Sequence, residues 1–206
     1  MFMQAAHAFT FAEKITLGSV PGAVTARTQQ GGVLATAQVE TADGWCPASA
    51  LRVGMRVQTY DGGLCPILRL ERQELSAGGA LFVHVPGGAL DNCEGLWLRP
   101  DQQILIASSV AEEVFDSAAV TVVARDLAGF RGIVPVWRPG AAAVITLGFA
   151  QNEAVFANTG TLLHFEADHI SAASDFYPAL ARSQVAAMLA LIEEGALTSA
   201  DLRRAA

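Results

Sequence analysis

The chain has 206 residues, 52% hydrophobic and 16% charged, enough to bury one substantial core and fit one domain with a small appendage. Its net charge of −7, without a basic run to displace counterions, argues against nucleic acid as a partner. No run reaches the ~18 consecutive apolar residues of a membrane span, and Met1-Phe2-Met3-Gln4-Ala5-Ala6-His7 lacks the basic start and long apolar region of a signal peptide. A cytoplasmic location is the default expectation, with export through a non-cleaved signal left open. Cys46, Cys65 and Cys93 are odd in number and form no Cys-x-x-Cys pair, so neither a disulfide framework nor a thiolate zinc site is expected.

Residues 1–31 read as an N-terminal extension with edge strands at Phe9-Thr10-Phe11 and Ile15-Thr16-Leu17, broken by Gly18, Pro21 and Gly22. Residues 32–172 are divided by Gly, Pro and Asp into short apolar segments. These include Arg56–Tyr60, Cys65–Leu70, Leu81–Val85, Ile104–Ile106, Val120–Val123 and Val144–Leu147. Many short strands with regular turn signals predict a mainly β domain, because Val, Ile and Thr suit the pleated surface. Asp43-Gly44 and Asp61-Gly62 are expected to close tight turns, since Gly accepts positive φ and Asp bonds to its own backbone. Arg69, Glu71, Arg72 and Glu74 read as a solvated mixed-charge segment.

Residues 173–206 change to helical spacing, with Leu180, Val185, Met188, Leu189 and Ile192 on one packing face. Pro178 fits a first helical turn, Gly195 is the expected stop, and Thr198–Asp201 could start a short second helix.

The segment Thr41-Ala42-Asp43-Gly44-Trp45-Cys46-Pro47, then Leu51-Arg52-Val53-Gly54-Met55-Arg56-Val57 and Asp61-Gly62-Gly63, resembles the opening of the Hint (Hedgehog/intein) module in its bacterial form. Three later blocks extend the likeness: Leu96–Ile106, Val120–Leu127 and Phe149–Asn158, the last ending Glu153-Ala154-Val155-Phe156-Ala157-Asn158. The resemblance implies a flattened horseshoe of bent strands with a short C-terminal helical segment. It also implies self-processing chemistry, in which a first-position Cys or Ser attacks the preceding carbonyl, a Ser/Thr polarises that bond and a His protonates the leaving nitrogen.

Carried over position by position, the nucleophile falls on Gly32. The polarising Ser/Thr falls on Arg99, the His on Gln102, and a late-block His on Asn152. None of these can perform its family role. The expectation is a degenerate autoprocessing module, not an enzyme, kept as a binding or scaffold domain with an unidentified protein partner. The alternatives are an active autoproteolytic domain with an unrecognised nucleophile, and an unrelated β-sandwich ligand-binding protein or hydrolase.

Other candidates are weaker. His164, Glu166, Asp168 and His169 include two imidazoles and carboxylates that could hold a divalent metal, but a polar strand end explains them more simply, and no metal or other cofactor is expected. Cys46 and Cys65 read as small buried hydrophobes, and Cys93 is the first suspect for thiol chemistry. His84 reads as a strand histidine.

Overall fold

The computed structural model describes residues 31–167 and 176–204, without the side chains beyond Gly195. The strands expected at Phe9–Phe11 and Ile15–Leu17 lie outside the described residues. In chain order the strands are β1 (Val33–Leu34), β2 (Gln38–Thr41), β3 (Gly44–Pro47), β4 (Arg56–Thr59), β5 (Gly63–Pro66), β6 (Arg69–Leu75) and β7 (Ala80–Val85). Then come β8 (Leu96–Leu98), β9 (Gln103–Ala107), β10 (Ala119–Val123), β11 (Val134–Arg138), β12 (Ala142–Gly148), β13 (Glu153–Ala157) and β14 (Thr161–Phe165). Helix α1 (Ser109–Phe115) precedes β10, and helix α2 (Arg182–Arg204) follows β14.

The strands form two antiparallel sheets. One has six strands in the order β11-β7-β8-β1-β12-β6; the other has eight, in the order β10-β9-β14-β13-β2-β4-β5 with β3 paired to β2. Val33, Val83, Leu98 and Ile145 of the first sheet share one buried core with Val39, Val57, Ile104, Val122, Val155 and Leu163 of the second. Alternation along each strand selects these residues, because successive side chains leave opposite faces of a sheet.

The two Asp-Gly turns use one device. Buried Thr41 accepts the Asp43 N–H at 3.2 Å and donates to the Gly44 carbonyl at 2.7 Å. Buried Thr59 accepts the Gly62 N–H and donates to the Gly63 carbonyl, both at 3.2 Å. A hydroxyl that closes its own turn satisfies backbone groups the tight bend would otherwise leave unpaired. Gly44 at φ +104° supplies the backbone angle of the first turn as expected; in the second it is Gly63 at φ +65°, not Gly62, that does so.

Several expectations are corrected. Cys65–Leu70 is not one strand: the ladder breaks at Ile67-Leu68, where Ile67 N–H turns to the Met55 carbonyl and Leu68 N–H to the Gly148 carbonyl. The Arg69–Glu74 segment is not merely solvated; it is strand β6, the last of its sheet among the described residues, and it carries the ion pairs Arg69–Glu71 and Arg72–Glu74. Helix α1 was not expected within the β region. Ser108 caps it by accepting the Ala111 N–H at 3.1 Å, and Ala111 is buried.

The C-terminal segment differs most. Tyr177–Leu180 is extended, not a first helical turn: Thr121 N–H donates to the Pro178 carbonyl and Leu180 N–H donates to the Thr121 carbonyl, both at 2.9 Å. This strap covers the open edge of β10. The helix then runs unbroken through Gly195 to Arg204, with Val185, Met188 and Leu189 buried as expected. An interior Gly costs only about 1 kcal/mol, less than the rest of the helix provides.

Two buried asparagines pin the hairpin tip to the opposite sheet. Asn158 sits at φ +44°; its Oδ1 accepts the Gln38 N–H at 2.7 Å and its Nδ2 donates to the carbonyls of Glu94 and Gly95. Asn92 donates to the carbonyls of Pro86 and Glu94 and accepts the Leu90 N–H. Removing such a group leaves buried partners unsatisfied, so Asn158→Ala and Asn158→Gly should each lower stability by about 1–3 kcal/mol in urea unfolding. The Gly variant tolerates positive φ, so its loss isolates the hydrogen bonds. A Gly variant as stable as the parent would contradict this assignment.

Candidate functional site

Three of the sequence-assigned positions, Gly32, Arg99 and Gln102, lie near the start of β1, and Asn152 does not. Strand β1 lies between β8 and β12, with Val33 opposite both Leu98 and Ile145. The pairing extends one residue back, where the Arg99 N–H donates to the Gly32 carbonyl at 2.8 Å. The peptide bond between Gly31 and Gly32 is thereby held between β12 and the Arg99–Gln102 turn.

Both glycines are required by this packing. A Cβ on Gly31 would stand 2.8 Å from the Gln102 Cα and 2.8 Å from its Oε1. A Cβ on Gly32 would overlap the Val144 Cγ1 methyl and lie 3.0 Å from Thr146 Oγ1, and Gly32 sits at φ +153°. At Gly31 the conflict is with backbone, and at Gly32 with a branched side chain and an unfavourable φ, so a side chain at either requires the neighbours to move.

Gln102 is 1% exposed. Its Nε2 spends both hydrogens on the carbonyls of Gln103 at 2.6 Å and His164 at 2.9 Å. The atom it turns toward Gly31 is therefore the amide oxygen, an acceptor. Arg99 contributes its backbone N–H, while its guanidinium lies over the Phe82 ring at 5.7 Å and Nη1 donates to the Leu81 carbonyl.

One group that sequence reasoning missed does address this bond. Thr146 Oγ1 donates to the Gly31 carbonyl at 2.9 Å. Thr146 lies on β12, more than a hundred residues away in sequence, and a Thr in an apolar strand carries no local signal of such a contact. Asn152, just ahead of β13, is engaged with the close of β14, where its Oδ1 accepts the Ala167 N–H at 2.8 Å.

His164 and Glu166 are linked through Gln103. The Gln103 Nε2 donates to Glu166 Oε1 at 3.0 Å, so its Oε1 is the acceptor facing His164 Nδ1 at 3.0 Å, which puts the imidazole proton on Nδ1. Asp168 and His169 lie outside the described residues. Among the described residues no three His, Cys, Asp or Glu side chains come together as a metal site. His84 stacks on Trp97, with centroids 4.5 Å apart.

A second polar cluster lies under the β4–β5 turn. The Cys65 thiol donates to Glu153 Oε1 at 3.3 Å, and Gln151 Nε2 donates to the same oxygen at 3.0 Å. Glu153 is buried at 5% exposure. Burial pushes the Cys65 thiol above its ordinary pKa; the Glu153 carboxylate adds to this, while the Thr59 hydroxyl opposes it. Burial also raises the pKa of Cys46. Cys93 is exposed, in the loop that Asn158 ties down.

Comparison with known proteins returns one family. The sequence model described as "Hint domain" matches residues 33–163, starting one residue after Gly32. Among solved structures, the chain is similar to the AceL NrdHF class 3 split intein in a glutathione-linked, splice-inactive variant, at 11% identity and TM-score 0.46, covering 67% of this chain and 99% of that one. It is also similar to a bacterial intein-like domain from Clostridium thermocellum at 14% identity and TM-score 0.45, covering 66% and 99%. The gp41-1 intein matches at 13% identity and TM-score 0.42, over 66% and 99%. No curated protein sequence matches significantly.

The thiol environments predict an order of reactivity. Under native conditions iodoacetamide should modify Cys93 several-fold faster than Cys46 or Cys65. Labelling of Cys65 should need a higher pH than an ordinary thiol, because only the thiolate attacks and burial disfavours it. Peptide mass mapping over time checks this; a Cys65 as fast as Cys93 near neutral pH would contradict it.

Proposed function

Because the chain belongs to the Hint domain family, we propose that it is an autoprocessing-type module that no longer cleaves itself and serves as a binding or scaffold domain. The family match displaces the unrelated β-sandwich alternative. The observation that carries the proposal is the Gly31–Gly32 peptide bond, enclosed so closely that neither residue can bear a side chain.

An acyl shift there needs a nucleophile at residue 32, a donor for the departing nitrogen and a polarised carbonyl. Gly32 supplies no nucleophile. Gln102 offers an oxygen where a donor is required, and a primary amide does not give up a proton near neutral pH. Thr146 alone still does part of the work: its hydroxyl holds the Gly31 carbonyl, as an oxyanion donor would. Polarisation without attack or protonation leaves an ordered, unreactive amide.

The purified chain should keep its mass when incubated with dithiothreitol or hydroxylamine, either of which would intercept a thioester. Release of a fragment ending near residue 31 would favour an active domain with a nucleophile elsewhere in the fold.

Restoring the chemistry should need more than the family residues. Gly32→Cys, Arg99→Thr and Gln102→His together should remain uncleaved, because the new Cβ meets the Val144 methyl. Adding Val144→Ala opens that space, and this fourfold variant should cleave before residue 32 over hours in excess thiol. Each single variant should stay whole, since groups acting as one unit are strongly non-additive. Cleavage by the triple variant with Val144 intact would show that the slot is looser than its packing indicates.

A further inference from the structure

The six-stranded sheet has a second face, turned away from the shared core. Alternation puts Val33, Val83, Leu98 and Ile145 in that core and leaves Leu34, Phe82 and Val144 on the opposite side. Yet Leu34 is only 6% exposed, Phe82 1% and Val144 2%. Among the described residues, the hydrophobic groups packed on this cluster are Leu75, Ala80, Trp97 and Ala142, all on strands of the same sheet. Side chains standing beside one another on a sheet shield their flanks. They do not shield the tops of a ring as large as Phe82, even with Trp97 edge-on at 6.4 Å and the Arg99 guanidinium above it. Left open, such a face would be an unusually apolar surface for a sheet.

The chain reaches β1 along the rim of this face. Gly32 packs on the Val144 methyl and Thr146 hydroxyl, both on this side of β12, and Thr146 grips the Gly31 carbonyl. What precedes Gly31 is thirty residues that include Phe9, Phe11, Ile15 and Leu17. Leu17 and Gly31 are fourteen residues apart in sequence. Such a length reaches at most roughly 46–50 Å, whereas six strands span only roughly 24 Å. The tether is therefore long enough to bring these side chains over Leu34, Phe82 and Trp97.

We propose that the outer face of the six-stranded sheet is the docking surface for the chain's own segment preceding Gly31. This inference rests on the binding-domain reading and supplies its partner: the module retains the upstream segment that its relatives' chemistry would release. The bond at Gly31–Gly32, kept whole, is the covalent half of that retention, and the apolar face is the noncovalent half.

The test uses the full chain with Trp97 as its only tryptophan, through Trp45→Phe and Trp137→Phe. Adding Phe9→Ser, Phe11→Ser, Ile15→Ser and Leu17→Ser should raise the acrylamide quenching constant of Trp97 about twofold, as an apolar cover is lost. In a matched chain that keeps only Trp137, already 61% exposed, the four changes should have no effect. A photo-crosslinking benzoylphenylalanine in place of Trp97, in an otherwise unaltered chain, should attach within residues 1–30 of the same molecule. That arm keeps the test decisive if the fourfold variant does not fold. Unchanged Trp97 quenching in a folded variant, or crosslinks that are absent or join two molecules, would overturn the proposal. Trp97 protection that disappears on dilution would assign the face to a second copy and overturn it as well. Loss of the upstream segment by cleavage would appear separately in the intact mass, and would count against the inactive-module reading instead.

Discussion

The placement of the whole site hangs on Asn158. It turns the β13–β14 hairpin in a left-handed conformation, bonds through backbone and side chain to Gln38 at the start of β2, and reaches across to the carbonyls of Glu94 and Gly95. Those carbonyls immediately precede β8, and β8 leads into Arg99 and the turn to Gln102. One buried amide thus couples the eight-stranded sheet to the loop that delivers the six-stranded sheet's site residues. Its strained φ is tolerated because the backbone and side-chain groups it presents in that conformation all find partners.

Around this anchor, the start of β1 is closely packed. Val144 presses on Gly32, the Gln102 side chain is consumed by two carbonyls, and Arg99 turns its charge onto the Phe82 ring. Each contact is a sensible local structure. Together they leave little room at Gly31 and Gly32 for anything beyond glycine backbone. The Thr146 hydroxyl satisfies the Gly31 carbonyl that it holds.

The second polar cluster follows a different logic. Glu153 is a carboxylate almost wholly out of water, and among the described residues it is met by the Cys65 thiol and the Gln151 amide rather than by a cation. Neutral donors lower the cost of burying it without adding a second desolvated charge. Burial, with the Glu153 carboxylate adding to it, raises the pKa of the Cys65 thiol and so disfavours its thiolate.

Much of the architecture was legible from residues alone. Short apolar runs between Gly, Pro and Asp locate most strands, and the Thr-x-Asp-Gly and Thr-Tyr-Asp-Gly pairs mark two hairpins through local backbone chemistry. The order of family blocks places Gly32, Arg99 and Gln102 at equivalent positions, and in the fold the Arg99 N–H bonds the Gly32 carbonyl while Gln102 lies against Gly31. Such features are readable because they depend on near neighbours or on motif order. What remained hidden depends on contacts between distant segments. Tyr177–Leu180 became a strap on β10 because a sheet edge there had an unpaired N–H and carbonyl to satisfy, which no helical periodicity could reveal. Thr146 became the partner of Gly31 only when β12 was laid beside β1. The direction in which Gln102 presents its amide was set by carbonyls of Gln103 and His164, the second sixty-two residues away. Sequence determined which groups exist and which face of each strand they leave. Tertiary structure decided which of them touch, because a hydrogen bond requires the approach of two atoms that chain order alone does not bring together.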